Sequence, residues 1–218
     1  MSQARFITFE GGEGTGKSTQ SKLLAQNLKA AGIGCIETRE PGGSNFAEAI
    51  RQIILDPSTP DHGPLSEALL FSAARVDHLE KTIRPALEDG NWVLCDRFAD
   101  STRAYQGAAG GLQTNMLLQL ERLVIANTPP NLTLILDLDV TRAFDRVAKR
   151  KKDQQAEANA CDDAYERRNQ EFHEALRQGF LAIAQAEPER CVVIDAEPEQ
   201  PHIAEQIWQC VHERLLKE

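Results

Sequence analysis

The chain has no long apolar run, no paired-cysteine motif and no excess of positive charge. Without a stretch of roughly 20 apolar residues, no segment is expected to cross a bilayer as a helix. The N-terminus runs almost directly into a strand-like segment and is not expected to be a secretory signal. The five cysteines, Cys35, Cys95, Cys161, Cys191 and Cys210, are odd in number, scattered and never in C-x-x-C spacing. That usage argues against a disulfide frame or zinc site and fits a reducing, cytoplasmic setting. Cys35, Cys95 and Cys191 lie in or beside apolar runs and read as small core residues. The formal net charge of −9 argues against general binding to a nucleic-acid polymer or an anionic membrane, which both want a basic face. Phosphates remain possible ligands where positive charge is local. There is no internal repeat, no low-complexity linker and no Asn-Lys-x-Asp guanine-specificity motif. His62, His78, His173, His202 and Cys161 stand in no partner pattern and take no role. With 218 residues and 41% hydrophobic content, the chain suits one domain, 1–218, with room for a small mobile insert.

The most informative stretch is Arg5 to Thr19. Phe6 to Phe9 is a short apolar run rich in strand formers, and Gly11 to Ser18 satisfies G-x-x-x-x-G-K-[ST]. Leu23, Leu24 and Leu28 then show helical spacing. Strand, glycine loop and helix in this order are the context a P-loop needs. Glycines let backbone N–H groups turn towards phosphate oxygens. The helix start adds unpaired N–H groups and partial positive charge. Gly11, Gly12, Glu13, Gly14, Thr15, Gly16, Lys17, Ser18 and Thr19 are therefore expected to hold a purine nucleoside triphosphate. Lys17 would reach the terminal phosphates, and the Ser18 hydroxyl would meet Mg²⁺.

Further along, Cys35 to Thr38 reads as a second strand ending at Arg39-Glu40-Pro41-Gly42-Gly43. A helix-like segment with Phe46, Ile50, Ile53 and Ile54 on one side carries Arg51 on another. Ser66 to Leu87 is a long helical pattern with Ser66 as its expected N-cap. Phe71 and Arg75 stand four apart, on one face of that helix. Trp92 to Cys95 is the next strand, with Asp96-Arg97-Phe98 at its carboxyl end. Ser101 to Gly111 is polar and glycine-rich, and Met116 to Ile125 is helical. Leu132 to Leu138 is a fourth strand, followed by a basic cluster from Arg142 to Lys152. Asp153 to Asp163 is polar and reads as mobile. Tyr165 to Ala186 is helical, Cys191 to Ile194 a last strand, and Ile203 to Leu216 a closing helix. Alternating strands and helices predict an α/β fold, a five-stranded parallel sheet covered on both faces. Ligands of such sheets bind beyond the carboxyl ends of the strands, where the P-loop, Arg39, Glu40, Asp96 and Arg97 are expected to converge.

The ordered set Phe9-Glu10-Gly11 into the P-loop, Arg39-Glu40-Pro41-Gly42-Gly43, Phe71-x-x-x-Arg75, Asp96-Arg97-Phe98 and Ser101-Thr102-x-x-Tyr105-Gln106-Gly107 resembles the bacterial thymidylate kinases. The likeness runs from about residue 5 to 140, with later helices of fitting length. It implies a P-loop kinase fold with a mobile lid, roughly 146–168, in a cytoplasmic homodimer. It implies transfer of the γ-phosphoryl group of ATP to dTMP, giving dTDP and ADP on the way to dTTP, with Mg²⁺. Lys17, Arg39, Asp96 and Arg97 would be the catalytic residues. Arg39, Arg51 and Arg97 would grip the acceptor phosphate, beside Glu40 and Ser101. Glu13 would hold the 3′-hydroxyl, Phe71 would stack on thymine and Arg75 would bond its O4. Thr102 and Gln106 would read the base edge, and Tyr105 would crowd the 2′ position. Ser18 and Asp96 would hold the metal or its waters.

Other readings stand beside these. Taken singly, a helical aromatic such as Phe71 is more often core than ligand-facing, Asp96-Arg97 has a lesser reading as a structural ion pair, and the basic cluster is usually a solvated face. Asp137 is a second acidic strand end, an alternative to Asp96 for the metal but read first as a cap for the following helix. A kinase for another nucleotide or a deoxynucleoside, or a nucleotide-binding switch without a small acceptor, are the competing functions. The switch leaves Phe71, Arg75 and Ser101 to Gly107 without a purpose. One departure from the family is plain. Its lids end in Asp-Arg-Phe-Glu, whereas this chain has Asp162-Asp163-Ala164-Tyr165-Glu166. Gly14 also stands where the eukaryotic type carries an arginine. Arg146, Lys149, Arg150, Arg167 and Arg168 are the candidates to supply the missing charge.

Overall fold

The computed structural model of the chain describes residues 3–56, 58–60, 62–155, 165 and 168–217. Its centre is β1 (Phe6–Glu10), buried along its whole length. Around it stand β2 (Cys35–Arg39), β3 (Trp92–Asp96), β4 (Leu132–Asp137) and β5 (Cys191–Asp195). The five strands are parallel and run in the order β2-β3-β1-β4-β5. Side chains alternate between the two faces of a strand. Ile7, Phe9, Leu132, Leu134 and Leu136 accordingly join one core cluster, while Phe6 and Ile135 join two others.

The first face is covered by α1 (Lys17–Ala30) and α9 (Gln200–Val211), through Leu24, Leu28, Ile203 and Ile207. A π-helical turn, His212–Leu216, extends α9. The opposite face receives α2 (Asn45–Leu55), α3 (Pro64–His78), α6 (Thr114–Ile125) and α8 (Gln170–Ala186). The long helix expected over Ser66 to Leu87 is a composite. After α3 comes a π-helical turn, Leu79–Ile83, and then α4 (Arg84–Glu88). Pro85 has no N–H for the helical ladder, and the wider turn lies immediately before it. Ser66 is not the N-cap: the helix opens with Pro64 behind Gly63, which makes no side-chain cap. Proline suits that first position because its missing N–H had no partner there anyway.

The polar, glycine-rich stretch after β3 is helical. It consists of α5 (Ala99–Thr102) and a π-helical turn, Arg103–Ala109. Tertiary bonds override its composition. Asp100 is buried and binds Arg190 at 2.7 and 2.8 Å and Arg103 at 3.1 Å. Arg103 also reaches Glu187 at 2.6 Å. On α8, a Cβ at Gly179 would stand 2.6 Å from that of Ala108, so glycine permits the close approach.

Three further boundaries differ from expectation. The helix α7 (Val140–Gln155) continues into the stretch read as mobile, and 156–164 lie outside the described residues. Asp137 does not cap it: both its oxygens take Arg177, at 2.7 and 2.9 Å. Asp139 Oδ1 is the cap and accepts the N–H groups of Thr141 and Arg142. The helix expected from Tyr165 begins instead at Gln170, where Asn169 accepts from Phe172 N at 2.9 Å. Among the described residues no helix is long and apolar enough to cross a membrane. Cys35, Cys95, Cys191 and Cys210 are free thiols, while Cys161 lies outside the described residues.

Candidate active site

Strand register brings the site together. Phe9 and Arg39 are both Cα partners of Asp96, so the carboxyl ends of β1, β2 and β3 are level. One cleft of about 1300 Å³ opens there. It exceeds the roughly 300–1,000 Å³ usual for a single small ligand. Its lining includes Glu13 to Thr19, Arg39, Glu40, Arg51, Phe71, Arg75, Asp96, Arg97, Ser101, Thr102, Tyr105 and Gln106.

The P-loop wraps the start of α1, with Gly16 left-handed at its N-cap. Lys17 folds back over the loop and donates to the carbonyls of Gly11 at 3.1 Å and Gly12 at 2.6 Å. Burial, and then the nearby Arg97 charge, pull its ammonium down to about 8. Thr15 Oγ1 donates to Gly12 O. The Ser18 hydroxyl donates to Asp96 Oδ2, so helix start and strand end supply two adjacent hard oxygens. Such oxygens suit Mg²⁺, which keeps most of its waters and needs few protein ligands. Among the described residues no cluster of three or more His, Cys, Asp or Glu side chains competes for a metal.

Arg97 sits at φ 68, in the left-handed region where non-glycine residues are uncommon. The turn aims its guanidinium across the cleft, to Gly11 O at 2.9 Å, Ser101 Oγ at 3.3 Å and Glu13 Oε1 at 2.5 Å. It also lies over the Tyr105 ring, 5.0 Å from the centroid. Tyr105 donates its hydroxyl to the same Glu13 oxygen at 3.0 Å. Burial pushes the Glu13 carboxyl up, but Arg97, Lys17 and the Tyr105 bond outweigh it and hold it at about 2. Beneath this turn Glu10 is fully buried. It accepts from Phe98 N at 2.8 Å, Ser101 N at 3.2 Å and Ser101 Oγ at 2.6 Å. Burial, followed by the Asp100 charge, raises Glu10 to about 7 against those bonds.

The acceptor side is built on α3. Arg75 is 3% exposed. It binds Glu40 Oε2 through Nε at 2.7 Å, and Nη2 reaches Phe98 O and Thr102 Oγ1, each at 3.1 Å. The other Glu40 oxygen meets His78 Nδ1 at 3.0 Å, and His78 Nε2 meets Thr38 Oγ1 at 2.7 Å. Both Glu40 oxygens are thus committed to holding Arg75 and His78. Phe71, half-buried, stands one turn before Arg75 with its ring 6.3 Å from that of Tyr165. Arg51 donates to Pro41 O at 2.9 Å. Arg39 is exposed and faces Glu48 at 3.2 Å.

The family model for thymidylate kinase matches residues 9–207. The chain belongs to the thymidylate kinase family. It is 50% identical to the thymidylate kinase of Caulobacter vibrioides, over 99% of each chain. It is 47% identical to that of Nitrobacter winogradskyi, over 98% of this chain and 90% of the other. The crystal structure of the thymidylate kinase from Ehrlichia chaffeensis superimposes with a TM-score of 0.75 at 34% identity, covering 95% of this chain and 98% of the other. The parallel sheet and P-loop are accordingly those of the family's kinase fold.

For a thymidylate kinase, the position of the donor-side charge matters. Gly14 cannot supply it: at φ 72, a Cβ there would stand 2.5 Å from Ala143 O of α7. Arg146, Lys149 and Arg150 all line the cleft. Arg146 is held by Glu197 O at 3.2 Å, and the Arg150 charge helps keep Glu13 ionised. Arg168 turns away, 5.5 Å over the Phe172 ring and 3.8 Å from Glu67. Arg167, with Asp162, Asp163, Ala164 and Glu166, lies outside the described residues. Sequence reasoning gave no role to His78, although it stands one turn beyond Arg75 on the same helix. It also passed over Glu67, one turn before Phe71.

Proposed function

We propose that the cleft holds ATP over the P-loop and dTMP beside α3, and that in this way the chain, as a thymidylate kinase, phosphorylates dTMP to dTDP. The observation that carries the assignment of residues is convergence. Lys17, Asp96, Arg97, Arg39 and Arg75 come from four separate elements and line one cleft. The backbone N–H groups of Gly11 to Thr19 and the Lys17 ammonium surround the ATP phosphates. On nucleotide entry Lys17 exchanges its two loop carbonyls for phosphate oxygens. Ser18 and Asp96 would hold Mg²⁺ or its waters, which when bound would supply positive charge to offset that of the nucleotide phosphates. Arg39, Arg51 and Arg97 present forked donors that match the acceptor phosphate, with the Ser101 hydroxyl on Arg97 and Glu40 holding Arg75 beside them.

The acceptor phosphate oxygen attacks the γ-phosphorus. A new P–O bond forms, the bond from γ-phosphorus to the bridging oxygen breaks, and ADP leaves. No side chain acts as nucleophile, so the protein supplies alignment and charge. Phe71 offers thymine a ring face, and Arg75 offers O4 a donor. Thr102 and Gln106 read the base edge. Glu13 takes the 3′-hydroxyl, and Tyr105, fixed on Glu13, fills the space of a 2′-hydroxyl. Arg146 to Arg150 form the donor side of a lid over roughly 146–168, within one domain, 1–218. A homodimer is supported by apolar side chains left exposed on neighbouring helices, Phe46 and Ile53 on α2, Leu69 on α3 and Leu123 on α6. Free thiols and the chemistry of a small phosphorylated substrate support a cytoplasmic setting.

The test is a coupled ADP-release assay with ATP and magnesium, offering dTMP, dUMP, UMP, CMP, AMP, GMP and thymidine in turn. Turnover with dTMP should exceed all others. A preference for UMP over dUMP would remove the role given to Tyr105.

A further inference from the structure

On α3, Glu67, Phe71 and Arg75 are spaced four residues apart and share one helix face. Phe71 and Arg75 line the cleft, and Glu67 is not among the residues that do. Its partner is Gln106, which lines the cleft and is 1% exposed. Gln106 Nε2 donates to Glu67 Oε2 at 3.0 Å and to the Tyr165 hydroxyl at 3.3 Å. Gln106 Oε1 is shielded from solvent and has no partner. Glu67 is itself mostly buried, its side chain 13% exposed, and its other oxygen lies 3.8 Å from Arg168.

A glutamine amide has a donor end and an acceptor end of nearly equal shape, and only its bonds decide which way it faces. A carboxylate accepts and never donates. Glu67 therefore requires the amide nitrogen, and the amide oxygen is left as the free group. We propose that Glu67 is a positioning residue for base selectivity: it fixes Gln106 so that an acceptor, Oε1, is presented to the base. With the Arg75 donor beside it, the edge reads one donor and one acceptor. Thymine answers with its C4 carbonyl and N3–H. Cytosine offers an amino group and a bare N3 at the same places and meets like with like on both. The inference rests on the reading above that Gln106 faces the base.

The experiment compares kcat/KM for dTMP and dCMP in the wild type, Glu67→Gln, Glu67→Asp and Gln106→Leu. Glutamine at position 67 can donate or accept, so the Gln106 amide is released to turn its nitrogen towards N3 of cytosine. Glu67→Gln should raise dCMP relative to dTMP about tenfold, the worth of one mismatched buried hydrogen bond, chiefly through a gain with dCMP. Glu67→Asp remains acceptor-only and should keep the wild-type ratio if the bond is retained. Gln106→Leu should lower dTMP efficiency about tenfold by removing the acceptor. A Glu67→Gln enzyme that loses dTMP and dCMP activity in equal proportion, beside an impaired Gln106→Leu, would overturn the proposal and leave Glu67 merely structural. An unimpaired Gln106→Leu would overturn the placing of Gln106 at the base, and the role of Glu67 with it.

Discussion

Glu40→Gln tests the buried ion pair that holds Arg75 on α3. The Glu40–Arg75 pair is 2.7 Å long, with side chains 4% and 3% exposed. Removing one partner of a buried ion pair strands the other charge, at a cost of about 3–5 kcal/mol. Glutamine keeps one acceptor for Arg75 Nε, so the lower end of that range is expected. For a domain of this size each kcal/mol moves the melting midpoint by about 2–4 °C, so the variant should melt roughly 6–12 °C below wild type. Arg75 then loses the bond that aims it, and misplacement of about 1 Å costs up to about 10²-fold in efficiency. Calorimetry gives the midpoint. Steady-state kinetics should show the loss in kcat/KM for dTMP with little change in KM for ATP. The double variant Glu40→Gln/Arg75→Met removes both buried charges. Its stability should return to within about 2 kcal/mol of wild type, while dTMP turnover stays low. A single variant that melts within about 2 °C of wild type would refute the reasoning, as would a double variant that regains dTMP turnover.

Asp96→Asn should lower kcat about 10²-fold or more, the usual scale for losing a charge-stabilising group, and raise the magnesium concentration for half-maximal rate. A normal magnesium titration would remove Asp96 from the metal site. The Glu13 carboxyl is held at about 2 from an ordinary value of 4.5, so the folded state takes up its proton later than the unfolded chain. Its contribution to stability is present above about pH 4.5 and is lost as pH falls towards 2. Urea midpoints between pH 5 and 3 should fall more steeply for wild type than for Glu13→Gln, and equal slopes would count against the Arg97–Lys17–Tyr105 cluster. Gly14→Ala combines a left-handed backbone, which costs about 1–2 kcal/mol with a side chain, and a collision with α7. It should melt several degrees lower and bind ATP weakly in a fluorescent-nucleotide displacement assay.

How much of this was legible beforehand depended on distance along the chain. The P-loop was readable because its strand, glycines, Lys17 and Ser18 are contiguous and each answers a local demand. The five parallel strands followed from composition and alternation, and the cleft from the rule that ligands sit at carboxyl strand ends. Phe71 and Arg75 could be placed on one helix face by spacing alone. What holds them could not. Glu40 lies 35 residues from Arg75, and Asp100 lies 90 residues from Arg190, so no periodicity links them. Those remote bonds also explain why Ala99 to Ala109 is helical despite Gly107 and its polar residues. The errors at helix starts have a common cause. Ser66 and Asp137 had the right chemistry for a cap, but Gly63 with Pro64 and Asp139 had the right backbone position. Tyr165 sits in a turn before α8 because Asn169 caps the helix four residues later.

The contact between Gly14 and Ala143 O bears on how kinases of this kind diverge. A side chain at position 14 and the present start of α7 claim the same volume. An arginine therefore cannot migrate from the lid helix to the loop by one substitution, since every side chain except hydrogen meets the same carbonyl. A side chain at position 14 needs the α7 backbone to withdraw from Ala143 as well as the substitution itself. With position 14 closed to any side chain larger than hydrogen, the cations that can reach the cleft from this side are those α7 itself carries, Arg146, Lys149 and Arg150.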